Sequence, residues 1–198
     1  MSKYKHLFVV YIAATLAILF STPTLHAQTA GTGGNAKSST GSAADTSGGK
    51  VSKADQGIMR DIAHANLAEI ETGKLALDKS QNDQIKKFAQ QMIDDHTAAM
   101  NELTQLAQSK GVTLPAETDL KHKTMATALK ALSGDKFDKQ YISQAGVTDH
   151  QRTRDLLQKA QKSVKDPDLK AYVQKVLPIV KQHLAMAKQL AQQLASKK

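Results

Sequence analysis

Two histidines occupy positions where a helical core would place apolar side chains. Between residues 82 and 110, Ile85, Phe88, Ala89, Met92, Ala99, Leu103 and Leu106 recur at helical spacing, and His96 lies within about 20° of the middle of that stripe. Between residues 167 and 195, Leu169, Val173, Val176, Val180, Ala187, Leu190 and Leu194 form a second stripe that contains His183. Histidine avoids full burial, so two of the few histidines on core seams ask for a reason. A buried imidazole needs a partner for each ring nitrogen. Neutral imidazole is also the commonest metal ligand. Two kinds of chemistry follow: ligation of a divalent transition metal, or hydrogen bonding to a carboxylate or tyrosine across the core.

Further candidates lie on the other helical segments. Phe137, Tyr141, Ile142 and Ala145 define an apolar side that, extended, presents Asp149. Beyond Gly146 the apolar side shifts to Val147 and Leu157 and brings in His150. Glycine in a helix marks a bend or a close helix approach, so both Asp149 and His150 stay candidates. Asp149-His150 echoes Asp95-His96. Adjacent helical residues point about 100° apart, so both members of a pair cannot sit centrally. In each pair the aspartate is suited to orient a histidine on a neighbouring helix. Glu69 lies at the edge of an apolar face with Ile62, and Asn66 lies nearer its centre. In a hairpin pivoting near Ser80, Glu69 is offset from His96 by about five residues, or roughly 7 Å. Direct ligation by Glu69 is compatible with that offset but strains it. His64 and His122 fall on polar faces and read as surface residues. Pro178 frees the carbonyl of Gln174 and predicts a kink near Leu177.

Other chemistries lack their residues. The 198-residue chain has no cysteine, which excludes disulfides, cysteine-ligated zinc, iron–sulfur clusters and thiol catalysis. No Gly-x-Ser-x-Gly or triad pattern supports hydrolase chemistry. A haem held by His96 with Met92 or Met100 lacks a Cys-x-x-Cys-His attachment motif. These absences lean the reading away from an enzyme.

The elements that must position these residues are helical. Aromatics make up only 4% of the chain, which argues against a β-sandwich or barrel. Lys3, Lys5 and His6, the apolar run Leu7–Phe20 and Leu25-His26-Ala27 have the layout of a signal peptide over residues 1–27. The apolar run is too short for a bilayer span of about 20 residues, so the mature chain has no transmembrane segment. Residues 28–50 are rich in Gly, Ser, Thr and Ala and predict a disordered linker. Residues 51–198 then form the folded domain. Ser52 with Asp55, and Ser80 with Asp83, read as helix starts. Gly111 suits a helix end, and Asp166-Pro167 a helix start. The spacing predicts helices over 53–77, 82–110, 136–163 and 167–195, with a short helix within 112–135. Two antiparallel hairpins joined by a longer crossover make an all-α, ferritin-like four-helix bundle.

Charge follows from export. The formal charge is +9, from 27 basic and 18 acidic residues, and losing Lys3 and Lys5 with the signal leaves +7. The lysines are dispersed and lack interleaved aromatics, so no nucleic-acid partner is expected. A periplasmic protein with this surface suits an anionic envelope polymer or an envelope protein as partner. The metal-free alternative is a structural or interaction module of the envelope.

Several segments carry a family resemblance. They are Ala68-Glu69-Ile70 with Gly73-Lys74-Leu75-Ala76, then Lys86–His96, which ends in Asp94-Asp95-His96. Leu132-Ser133-Gly134, Phe137-Asp138, Tyr141-Ile142 and Asp149-His150 follow, then Asp166–Lys170, Leu177-Pro178 and His183-Leu184. Over about residues 53–192 the chain resembles the bacterial domain of unknown function 4142 family. The resemblance implies an exported, ferritin-like bundle, associated in some members with the outer membrane. It also implies that Glu69, His96, His150 and His183 are its characteristic polar positions. It implies no established activity. Ferritin-like di-iron proteins use Glu-x-x-His on two helices. Here Ile93, Val147 and Val180 precede the three histidines by three residues, so a carboxylate-rich di-iron site is not expected. The expected form is one metal ion held by His96, His150 and His183 with Glu69 as a fourth ligand, and Asp95 and Asp149 supporting them.

Overall fold

The computed structural model describes residues 50–196. The signal peptide and nearly all of the linker lie outside the described residues. Six α-helices account for most of the described chain: α1 (Lys53–Lys79), α2 (Asp83–Ser109), α3 (Leu120–Lys130), α4 (Gly134–Tyr141), α5 (His150–Ser163) and α6 (Pro167–Ser196). A π-helical segment, Ile142–Asp149, joins α4 to α5, so that 134–163 is one continuous rod with a wide turn inside it. No strand occurs among the described residues.

Local chemistry sets the ends of these helices. Ser52 Oγ accepts from the Asp55 N–H at 3.0 Å and starts α1. The α2 start differs from the sequence reading. Asn82, not Ser80, is its N-cap, and its Oδ1 accepts from the Gln84 N–H. Ser80 instead closes α1 and accepts from the Asn82 N–H. Gly111 adopts φ 65° just after α2, the left-handed turn that glycine tolerates best. Asp166 Oδ1 accepts from the N–H groups of Asp168 and Leu169 and caps α6. The buried Asp55 carboxylate accepts from the N–H groups of Lys165 and Asp166, tying the start of α1 to the α5–α6 turn.

α1 pairs with α2, and the α4–α5 rod pairs with α6, each across a short turn. α2 also packs on α6, with Asp95 meeting His183 and Ala99 meeting Tyr172, which makes that pair antiparallel. α2 and the α4–α5 rod run the same way, because Phe88 meets Tyr141 and His96 meets His150. Two consecutive parallel helices need a connection that travels the length of the bundle, and residues 110–133 supply it. α3 lies within that crossover and rests on α1. Hairpin, crossover, hairpin is the order expected for a ferritin-like bundle.

The core has two apolar halves. One gathers Met59, Ile62, Leu103, Leu157, Leu169 and Val173; the other Ile85, Phe88, Met92, Leu129, Phe137 and Tyr141. Each such side chain contributes about 1.5–3 kcal/mol when fully buried. α6 continues through Pro178; Pro178 and Gln174 are both exposed, so the missing backbone bond faces water. Among the described residues no helix is long and apolar enough to cross a membrane.

Candidate metal centre

His96 on α2, His150 at the start of α5 and His183 on α6 meet in the bundle interior, all three buried. Their ring centroids are 5.5, 5.4 and 5.4 Å apart, nearly an equilateral triangle. One nitrogen from each ring lies within 4.8 Å of the other two.

Hydrogen bonds decide which nitrogens those are. His150 Nδ1 lies 2.9 Å from the Ala145 carbonyl and 3.2 Å from Glu69 Oε1. A carbonyl only accepts, so Nδ1 carries the proton. His183 Nε2 lies 2.8 Å from Asp95 Oδ2 and donates in the same way. For His96 the inference runs through two further side chains. Tyr172 Oη donates to the Ala99 carbonyl at 3.1 Å, which leaves its oxygen to accept from Asn66 Nδ2 at a long 3.5 Å. That orients the Asn66 amide so that Oδ1 accepts from His96 Nδ1 at 2.8 Å. All three outer nitrogens therefore donate outward. With the three rings neutral, the inner atoms, Nε2 of His96, Nε2 of His150 and Nδ1 of His183, carry lone pairs. The two Nε2 atoms are 3.4 Å apart, and His183 Nδ1 has no hydrogen-bond partner among the described residues.

Electrostatics separate the three rings. Burial, then the neighbouring histidines, pushes His96 well below the ordinary imidazole value. Burial lowers His183 as well, against the pull of Asp95. Burial also works against a charged His150, but Glu69, the Ala145 carbonyl and Asp149 together outweigh it and raise that ring.

The π segment explains why Asp149 and His150 were both in contention. A strict α-helix through Tyr141 and Ala145 would aim Asp149 inward. The wider winding carries the phase forward by a residue, so His150 points into the triangle. The His150 N–H turns to Val147, and its ring takes the Ala145 carbonyl, five residues back. Gly146 permits the close approach of α6. A Cβ there would lie 3.0 Å from Ala187 Cβ.

Three expectations need correction. Glu69 does not join the inner nitrogens; it sits behind His150 on the outer nitrogen, with its Oε2 unpartnered among the described residues. The offset is the reason: Asn66, not Glu69, is level with His96, and Glu69 lies one turn away. Asp149 is buried beside His150 but orients no histidine across the bundle. Its Oδ1 pairs with Arg152 at 3.0 Å and Lys121 at 3.6 Å. His64 and His122 are half-buried rather than on an open surface. His64 Nδ1 donates to the Glu117 carbonyl of the crossover, and His122, itself on α3, pairs with Asp119. Asp95 does contact His183, on the side facing away from the triangle.

The roles of Asn66 and Tyr172 were missed in the sequence. A signal for Asn66 was present, a polar residue on an apolar face. Counting equal distances from the α1–α2 turn would have set it opposite His96.

Fold and site define a class: an all-α helical bundle with a buried cluster of three histidines that could bind metal. Residues 40–190 match the sequence profile of the domain of unknown function 4142 (DUF4142) family, and the chain belongs to that family. No curated protein matches the chain, and no solved structure does.

Proposed function

We propose that this protein is an exported, periplasmic bundle that binds one divalent transition metal ion through His96 Nε2, His150 Nε2 and His183 Nδ1. One observation carries the reading: three lone pairs converge in a buried space that holds no donor for them. Such an arrangement is repulsive unless a cation sits within it. Each outer nitrogen donates to an oxygen, the pattern that orients and strengthens histidine ligands. Three neutral imidazoles suit zinc, copper, nickel or iron. The bound ion would act as an electron-pair acceptor. The chain's residues fix the tautomers and keep water from all but one side. Export rests on the layout of residues 1–27. Enzymatic activity is not part of the reading.

The metal-free alternative has its own support. Glu69 raises His150, and a protonated His150 could donate from Nε2 to His96 across 3.4 Å. A proton pairs only two of the three rings and leaves His183 Nδ1 buried without a partner. A metal ion satisfies all three. Haem fits poorly, because the space beside the histidines is only about 20 Å³.

The test is the metal content of untagged residues 28–198, by mass spectrometry, beside a His96→Ala/His183→Ala variant. Near-stoichiometric metal in the parent and none in the variant supports the reading. A parent that stays empty after zinc, copper, nickel and ferrous iron are offered sinks it and favours the envelope module.

A further inference from the structure

A cavity of about 20 Å³ adjoins the cluster. It meets the triangle at His96 and His183, not at His150. Ile62, Leu157, Val176 and Val180 give it apolar walls. That is room for one water-sized molecule and little more. Asp95, Ala99, Thr153 and Ile179 also line it and are only partly buried, so it reaches solvent. The His150 side of the triangle is closed by contrast, with Phe88 against that ring and Gly146 packed on Ala187.

We infer that the three-histidine centre keeps a position for an exogenous ligand, and that this ligand is a small lone-pair donor of one to three heavy atoms entering through this cavity. The inference rests on the metal-binding reading above. Two observations meet in it. No carboxylate or fourth histidine joins the inner nitrogens among the described residues, so the protein supplies three ligands. Three-ligand sites of this kind leave a place for water or substrate, whereas purely structural sites are closed by a fourth side chain. A void touches the cluster at His96 and His183, beside Asn66 and Asp95, and offers a small ligand a route to it. Its size excludes larger ligands. Its apolar lining offers little hydrogen bonding, so selection is by size and by affinity for the metal.

The test uses cobalt(II) as a visible reporter on residues 28–198, with azide as the small ligand and imidazole as the larger one. Azide is expected to shift the cobalt absorption bands at saturable concentrations, and imidazole to leave them unchanged. Ala99→Leu narrows the cavity from its solvent side. It is expected to retain cobalt and to weaken azide binding about tenfold or more. Val176→Ile makes a milder narrowing should Ala99→Leu fail to fold. A parent that never acquires a cobalt spectrum fails the metal reading itself. A parent that binds cobalt but ignores azide overturns only the open position. An equal azide response in the parent and in a folded narrowed variant overturns the entry route, as does an equal response to imidazole.

Discussion

His96 Nε2 and His150 Nε2 face each other across 3.4 Å, and while both rings are neutral neither has a proton to place between them. Asn66 has taken the one on His96, and the Ala145 carbonyl the one on His150. Two acceptors at that distance are kept by the fold around them. The cost is recovered when a cation enters, which is why the residues behind the ligands matter as much as the ligands.

Asn66 should therefore control metal affinity without touching the metal. Asn66→Leu removes the acceptor for His96 Nδ1 and frees the ring to protonate at Nε2, which blocks its inner lone pair. A loss of about 10–100-fold in affinity is expected. Asn66→Asp keeps the acceptor and should stay near the parent. Competition against a chromophoric chelator measures both. Equal affinity in the Leu variant would show that Asn66 does not set the tautomer.

His96 and His183 were legible in the sequence because each lies on a long, regular α-helix, where spacing alone gives direction. For His150 spacing left the choice with Asp149 open, because the phase of its helix changes between Ile142 and Asp149, and a π turn leaves no signature in residue type beyond the glycine at 146; the family resemblance named His150. The hairpin order and crossover were legible from loop lengths and from Gly111 and Asp166. Glu69 was misplaced for a different reason. It lies one turn from the level of His96, nearer than the five residues counted from a pivot at Ser80, and its carboxylate meets His150 on α5 rather than His96 on α2.

Glu69→Gln tests the charge behind His150. Glu69 helps raise the folded-state value of that ring, so this contribution to stability is complete below the unfolded value of about 6.5 and fades as pH rises through the folded value. The metal-free variant should be less stable than the parent at pH 5.5, and the gap should narrow as pH rises through the folded value. Thermal melts over that pH range check this. A gap that widens with pH would mean that Glu69 does not act through a charged His150.

Gly146→Ala should destabilise the bundle by about 1–3 kcal/mol through overpacking. The new methyl group meets Ala187 Cβ at 3.0 Å, whereas its other neighbours, Ile142 and Phe88, stand at 3.6 and 3.7 Å. Ala187→Gly in the same chain removes the close contact and should recover much of the loss. A double-mutant cycle from denaturant melts gives the coupling between the two positions. Additive effects would mean that the cost of Gly146→Ala arises in the π segment itself.

The pKa order predicts how many protons metal binding displaces. At pH 6.5, the ordinary imidazole value, His150 is raised and mostly protonated, while His96 and His183 are lowered and mostly neutral. A metal ion must then displace about one proton, from His150, and affinity should change by about tenfold per pH unit around that pH. The slope should flatten as pH rises through the raised value of His150 and that ring loses its proton. Below 6.5 the lowered rings also cost stability: the unfolded chain takes up protons that His96 and His183 refuse in the fold, so the metal-free protein weakens as pH falls. Titration calorimetry in two buffers of different ionisation enthalpy counts the protons directly. A count near one at pH 6.5, falling with pH, fits an Asn66- and Asp95-held pair of neutral rings beside a charged His150. A count near three would mean that the buried rings titrate like free imidazoles and that their outer hydrogen bonds do not fix them.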